Sequence, residues 1–313
     1  MSMHISSVVE KGYSMVKTVA DNKQSNENFF KQEENVKPKK TGTAGATWAA
    51  IGAGTAAATV SSVASIPIIK GFTNISRNLS PENIAKVNEA ADKIITNTTN
   101  LGQKGVKLVD KILSVKLTEL PDMIEGLLGN TSLAISEGYN AAFIPKKTFH
   151  GSEIGNIITI NRDKLSLASF HEIGHAFNYN NSSFWKAMQK SRSWCMVIAG
   201  ALALIPAITK ESKSENGEEL TAGQKFKNKL RNISPLLAFG AMTPMLAEEA
   251  MASIRGCKFA KPLLDKNLYS KVVKTNVTAY GSYLATAAGM ALFAIVAKAV
   301  KDKMVDKKRQ KQL

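Results

Sequence analysis

The chain has 313 residues, 44% of them hydrophobic but only 7% aromatic, and its 41 Lys and Arg against 25 Asp and Glu give a net charge of +16. Two modest domains, or one soluble domain with membrane segments attached, fit this length, and the two cysteines, Cys195 and Cys257, which form no CxxC pair or ligand spacing, exclude a disulfide framework. The charge suits nucleic acid or an anionic membrane surface; with no glycine-aromatic RNA motif, zinc finger or basic heptad present, nucleic acid is set aside and anionic membrane lipid is the expected partner.

Residues 1–40 read as a polar, lysine-rich flexible arm ending in KPKK. They lack the apolar core of a cleaved signal peptide, so membrane entry has to be directed by an internal segment. Residues 41–69 carry no charge and are long enough to cross a bilayer. Their Ala, Gly, Thr and Ser content, with Gly54 and Ala58 four apart, suits either close packing of membrane helices or a buried Ala/Gly-rich segment.

Residues 70–192 are expected to form a helical region ending in the helix with the most chemistry. Ser80, Pro81 and Glu82 supply an N-cap, a first-turn proline and a first-turn acid for a helix with apolar positions Ile84, Val87, Ala91 and Ile94. A second amphipathic helix is read from Val106, Val109, Ile112 and Leu113. The β-branched run Ile157 to Ile160 is the best strand candidate.

The stretch SLASFHEIGHAFNYN, residues 166–180, follows that strand. On a helix, positions four apart share a face, so His171 and His175 can present two imidazoles to one ion, with Glu172 placed to take a proton from a metal-activated water and pass it to a leaving amine. Gly174, a poor helix former, lets a neighbouring backbone come close. A catalytic zinc needs a third ligand. His4 and His150 stand in no extended histidine motif, so a carboxylate is expected, and LAEEAMASIRG offers Glu248 and Glu249.

Three more charge-free blocks follow the motif: residues 193–209, 233–247 and 276–297, of 17, 15 and 22 residues. The first two, joined by a charged loop at 210–232, form an expected membrane hairpin over 193–247. Residues 248–275 hold the third-ligand helix and its connection, 276–297 is the strongest transmembrane segment, and 298–313 is a basic tail. The fold class is therefore mainly α: a membrane-associated helical protein with a zincin-like active helix and a small β element.

Over about residues 138–260 these features resemble the HtpX-like membrane zinc metalloproteases, relatives of the CAAX prenyl endopeptidases and more distantly of thermolysin. The likeness rests on NAAFIP leading into a strand and the HEIGH helix, on a membrane hairpin between that helix and the third ligand, and on a glutamate with alanine three residues on, which favours Glu249. It implies zinc held by His171, His175 and Glu249, Glu172 as general base, and a polypeptide substrate added as a strand beside Ile157 to Ile160. An oxyanion stabiliser is expected too, with Arg255, Tyr269 and His150 unranked. Ser253 stands where the family has an aspartate that orients a ligand histidine, and Pro145, Lys146 and Lys147 stand in place of a Gly-rich turn, so lower metal affinity or an inactive relative is implied as well. The family setting is a bacterial inner (cytoplasmic) membrane. Resemblance favours a cytoplasmic active site, whereas the basic tail favours the opposite side. The rival reading is a non-catalytic helical membrane protein with an accidental or decayed HExxH that binds lipid or a partner.

Overall fold

The computed structural model describes residues 43–64, 66–110, 135–149, 152–214 and 218–310. The N-terminal arm, His4, His150, Ile112 and Leu113 lie outside the described residues.

The uncharged 41–69 block contributes to two helices, α1 (Ala44–Ala64) and α2 (Ile66–Arg77). α3 (Pro81–Lys93) starts as its sequence dictates: Ser80 is extended, its hydroxyl accepts from the Asn83 amide, and Pro81 occupies the first turn. Val87, Ala91 and Ile94 are buried in the main core and Ile84 packs against it. The next element differs from expectation. Val106 precedes, and Val109 lies in, a strand, β1 (Lys107–Asp110), rather than an amphipathic helix. The chain turns at Gly105, where φ is +76°, and β1 then pairs in parallel with β5. The tertiary partner overrides the local period.

β2 (Ala141–Ile144) and β5 (Ile157–Ile160) pair antiparallel, and the three strands run β1-β5-β2. The strand at Ile157 to Ile160 is therefore as expected, but it is the centre of the sheet. Both its edges are taken, so it cannot receive a substrate strand; the edges of the sheet are β1 and β2. A hairpin of β3 (Lys147–Phe149) and β4 (Ser152–Ile154) connects β2 to β5. It closes onto β5 through Gly155 at φ +110°, where a Cβ would sit 2.3 Å from the Pro145 carbonyl oxygen.

α4 (Ser169–Asn181) carries HEIGH, with its first three turns almost wholly buried. α5 (Ser183–Ile208) begins at Ser182, whose side chain accepts from the Trp185 amide. α6 (Ala222–Ala241) begins with a capping box in which Thr221 and Gln224 satisfy each other's backbone amides. The 233–247 block is not one segment: the chain breaks at Met242, and α7 (Thr243–Ala260) starts there with Pro244 in its first turn. α8 (Lys266–Gln310) is a single helix of 45 residues that contains all of 276–297.

Among the described residues, two helices, α5 and α8, are long and apolar enough to cross a membrane. α1 runs antiparallel to α8, with Thr47 beside Lys301 and Gly54 against Phe293, and α5 and α6 complete an up-down bundle. Between these four helices the fully buried apolar residues are small, Ala50, Ala203, Ala207, Ala238, Ala294 and Ala297, with Phe293, Met290 and Leu202 packed partly buried against them. The large apolar side chains Trp194, Val197, Leu236, Val277 and Ile295 instead face outward.

Candidate metal centre

α4 and α7 cross at unusually short range. A Cβ on Gly174 would lie 2.0 Å from the Ala252 carbonyl oxygen, and one on Gly256 would lie 2.3 Å from that of Phe170. These two glycines let the helices touch backbone to backbone, which carries the acids of α7 onto the histidines of α4.

The Nε2 atoms of His171 and His175 are 2.9 Å apart, and Glu249 Oε2 lies 3.1 Å from the first and 3.3 Å from the second. All three side chains are at least nine-tenths buried. Donor atoms at about 2.0–2.1 Å from a tetrahedral zinc would be separated by about 3.3 Å, so this triangle matches one face of such a site.

The far sides of the rings are fixed. His175 Nδ1 lies 2.9 Å from Glu248 Oε1, an acceptor, so this nitrogen carries a hydrogen and the ring turns Nε2 to the triangle. Glu248 Oε1 also accepts from Asn178 Nδ2 at 3.0 Å and Gln189 Nε2 at 2.7 Å, while its Oε2 accepts from Arg192 at 3.1 Å. Both oxygens of Glu248 are thus spent on orientation. Glu249 uses one on Arg192 and turns the other to the imidazoles, which separates two adjacent acids that the sequence leaves open. Ser253 Oγ lies 3.1 Å from His171 Nδ1, so the serine reaches this histidine from behind.

Glu172 is 7% exposed, and its Oε2 accepts from the Phe143 amide of β2 at 2.7 Å. That amide points away from β5. One carboxylate oxygen of Glu172 lies within 4.8 Å of a donor nitrogen of each histidine, a gap that one water can bridge. The group of His171, Glu172, His175, Glu248 and Glu249 can hold a metal ion, and its members also form ion pairs.

The electrostatics follow from this packing. Burial by itself pushes the His175 imidazole down, but the charges of Glu248 and Glu249 and their hydrogen bonds outweigh it and raise the group to about 10. Burial likewise pushes both carboxyls up. His175 and Arg192 reverse that, holding Glu248 at about 2 and Glu249 well below the usual carboxylate range. A proton on His175 and a cation on the triangle therefore compete for the same lone pairs.

Arg192 and Gln189 on α5 are the contributors that sequence reasoning missed, and Tyr283 of α8, whose ring centroid lies 6.0 Å from the Arg192 guanidinium, is a third. A charged residue one position before a charge-free block was the available signal for Arg192. Two expected oxyanion candidates point elsewhere. Arg255 donates to Asn178 Oδ1 and lies over Phe177, and Tyr269 packs against the main core. No family model, curated protein or solved structure matches the chain.

Proposed function

We propose that the chain is a membrane-integrated zinc endopeptidase, of the kind the HtpX-like proteases represent, with His171, His175 and Glu249 as ligands and Glu172 as general base. The observation that carries this reading is the triangle of His171 Nε2, His175 Nε2 and Glu249 Oε2, with edges of 2.9, 3.1 and 3.3 Å. A zinc ion bound there would supply a Lewis acid that lowers the pKa of water and polarises the scissile carbonyl.

The chain's own residues do the rest. Glu248 and Ser253 orient the two imidazoles, and Arg192 keeps Glu249 to a single free oxygen. Glu172 removes a proton from the attacking water and returns it to the leaving amine. The Phe143 amide holds Glu172 Oε2 and leaves its other oxygen for that transfer. A polypeptide cannot add to the strand at Ile157 to Ile160; the outer edge of β2 lies nearest Glu172, and a substrate strand would pair there by displacing the Phe143 amide from that carboxylate.

Membrane integration is supported by the bundle's distribution of side chains. Alanine lies inside, while Trp194 at 68% exposure and Leu236 at 71% lie outside, the pattern expected where lipid is the solvent and helices associate through small residues. The resemblance to the HtpX-like proteases supports a bacterial inner membrane as that bilayer.

A second reading has one observation in its favour. Arg192 binds both Glu248 and Glu249, so the cluster has internal partners and can serve as a structural ion-pair network in a non-catalytic membrane protein. Elemental analysis of detergent-purified protein separates the two. The protease reading expects about one zinc per chain, reduced in His171→Ala and Glu249→Ala. Absence of bound zinc in the wild type after metal is supplied supports the ion-pair network instead.

A further inference from the structure

A second charged cluster closes the opposite end of the bundle. Arg231 of α6 and Lys301 of α8 are each 1% exposed. Arg231 is held by Asp302 at 2.7 and 2.9 Å and by the Pro206 carbonyl at 3.4 Å, and its Nε has no partner among the described residues. Lys298 shares Asp302 at 3.2 Å. Lys301 reaches across to the first turn of α1, donating to Thr47 Oγ1 and to the Thr43 carbonyl at 3.4 Å.

Among the described residues the charge does not balance: Arg231 and Lys298 share the one carboxylate of Asp302, and the buried Lys301 meets only a hydroxyl and a carbonyl. The next acid along α8, Asp306, is already engaged by Lys213 at 2.7 Å and by Arg309. A lysine also sits at the N-terminal end of α1, where the helix dipole is positive and an anion is the favourable neighbour. A buried charge needs a counterion, and the one that Lys301 lacks among the described residues is an anion.

We propose that Arg231, Lys298, Lys301 and the first turn of α1 form a binding site for a phosphate-bearing anion. Guanidinium and ammonium groups with free helix-terminal amides are the donor set that phosphate oxygens take. The source is either the headgroup of an anionic phospholipid or a free phosphate ion. Lys298 and the exposed Ala44, Gly45 and Trp48 form the open rim. Along α8, Lys301 is about 27 Å from Tyr283 by helical rise, so this site is remote from the metal cluster.

The test uses the full chain in a non-ionic detergent, stripped of lipid and exchanged into mixed micelles containing phosphatidylglycerol or phosphatidylcholine of the same acyl chains. Bound phosphorus per chain is measured after gel filtration. The anionic lipid is expected to be retained at about one per chain and the zwitterionic lipid not. Lys301→Met and Lys298→Gln are expected to weaken retention about 10- to 100-fold, the effect of one charged hydrogen bond. Competition with inorganic phosphate assigns the source: displacement at millimolar concentration means the phosphate group suffices, and no displacement means the acyl chains contribute. Equal retention of the two lipids, or unchanged retention in a folded variant, overturns the proposal. An unchanged gel-filtration profile establishes that a variant is folded. If Lys301→Met fails that check, Lys298→Gln at the rim decides.

Discussion

Replacing Gly174 by alanine tests whether the backbone contact between α4 and α7 builds the candidate metal centre. Helix propensity alone favours the change, since alanine gains about 1 kcal/mol over glycine inside a helix. The packing opposes it. The new Cβ would lie 2.0, 2.7 and 2.9 Å from the O, C and Cα of Ala252, all backbone atoms that cannot rotate away. Reaching a van der Waals separation of about 3.5 Å requires the helices to part by about 1.5 Å. Overpacking of this kind costs about 1–3 kcal/mol, which outweighs the propensity gain. Glu249 sits one turn before Ala252 and would be carried with it. Its Oε2 would move from 3.1 Å to roughly 4.5 Å from His171 Nε2, well beyond the edge of about 3.3 Å that a tetrahedral zinc allows. A competition titration against a chromogenic chelator should then show zinc affinity lower by at least about 10- to 100-fold, and the melting temperature should fall. Gly200→Ala is the control: nothing lies within 4 Å of its added Cβ, so that variant should melt as high as wild type or higher. A Gly174→Ala protein that binds zinc and melts like wild type would refute the reasoning.

Four further outcomes are expected. Glu172→Gln should keep its zinc by elemental analysis and lose peptide hydrolysis, and retained hydrolysis would remove Glu172 as the base. Arg192→Met should destabilise chelator-treated protein more than zinc-loaded protein, by about 1–3 kcal/mol in denaturant unfolding once its partial exposure is allowed for; equal losses would mean that Arg192 does not offset the carboxylates. His175, raised to about 10 from 6.5, contributes stability to the metal-free chain that is complete below pH 6.5 and lost as pH rises through 10. Melting curves in chelator should accordingly fall between pH 6.5 and 10 while apparent zinc affinity rises, and a flat profile would contradict the coupling. Finally, the protein should stay with membranes through alkaline carbonate and leave in detergent, whereas carbonate release would assign the Ala-rich bundle to a soluble core.

Much of this site can be read from the sequence because its elements are local. The spacing of His171 and His175 determines a shared helix face, and Gly174 between them signals a close neighbour that the structure identifies as Ala252. Ser80 and Pro81 start α3 where capping chemistry places it. The parts that could not be read depend on contacts distant in sequence. Glu248 and Glu249 are adjacent, so each points about 100° from the other around the helix, and only the position of α4 decides which faces the imidazoles. Arg192 and Gln189 lie on another helix, and no local pattern marks either as a partner of Glu248. β1 was misread because Val106 and Val109 satisfy a helical spacing; its pairing with β5 is a tertiary fact. For the same reason a β-branched run could reveal that Ile157 to Ile160 is a strand, but not that it lies at the centre of the sheet.

Charge balance helps to choose between a metal centre and an ion-pair network. Glu172, Glu248 and Glu249 are buried together, and the cation that reaches the last two is Arg192. With neutral imidazoles the group carries two uncompensated negative charges, and a proton on His175 removes only one of them. Buried charge without a partner is costly, so a purely structural network would be expected to recruit further lysine or arginine, which this chain has in abundance. It presents the Nε2 atoms of two imidazoles and one carboxylate oxygen to a common point instead, with both rings held from behind. A divalent cation at that point neutralises the whole group. Convergence of three donors on a charge deficit of two is a requirement of cation binding and is not needed for salt bridging.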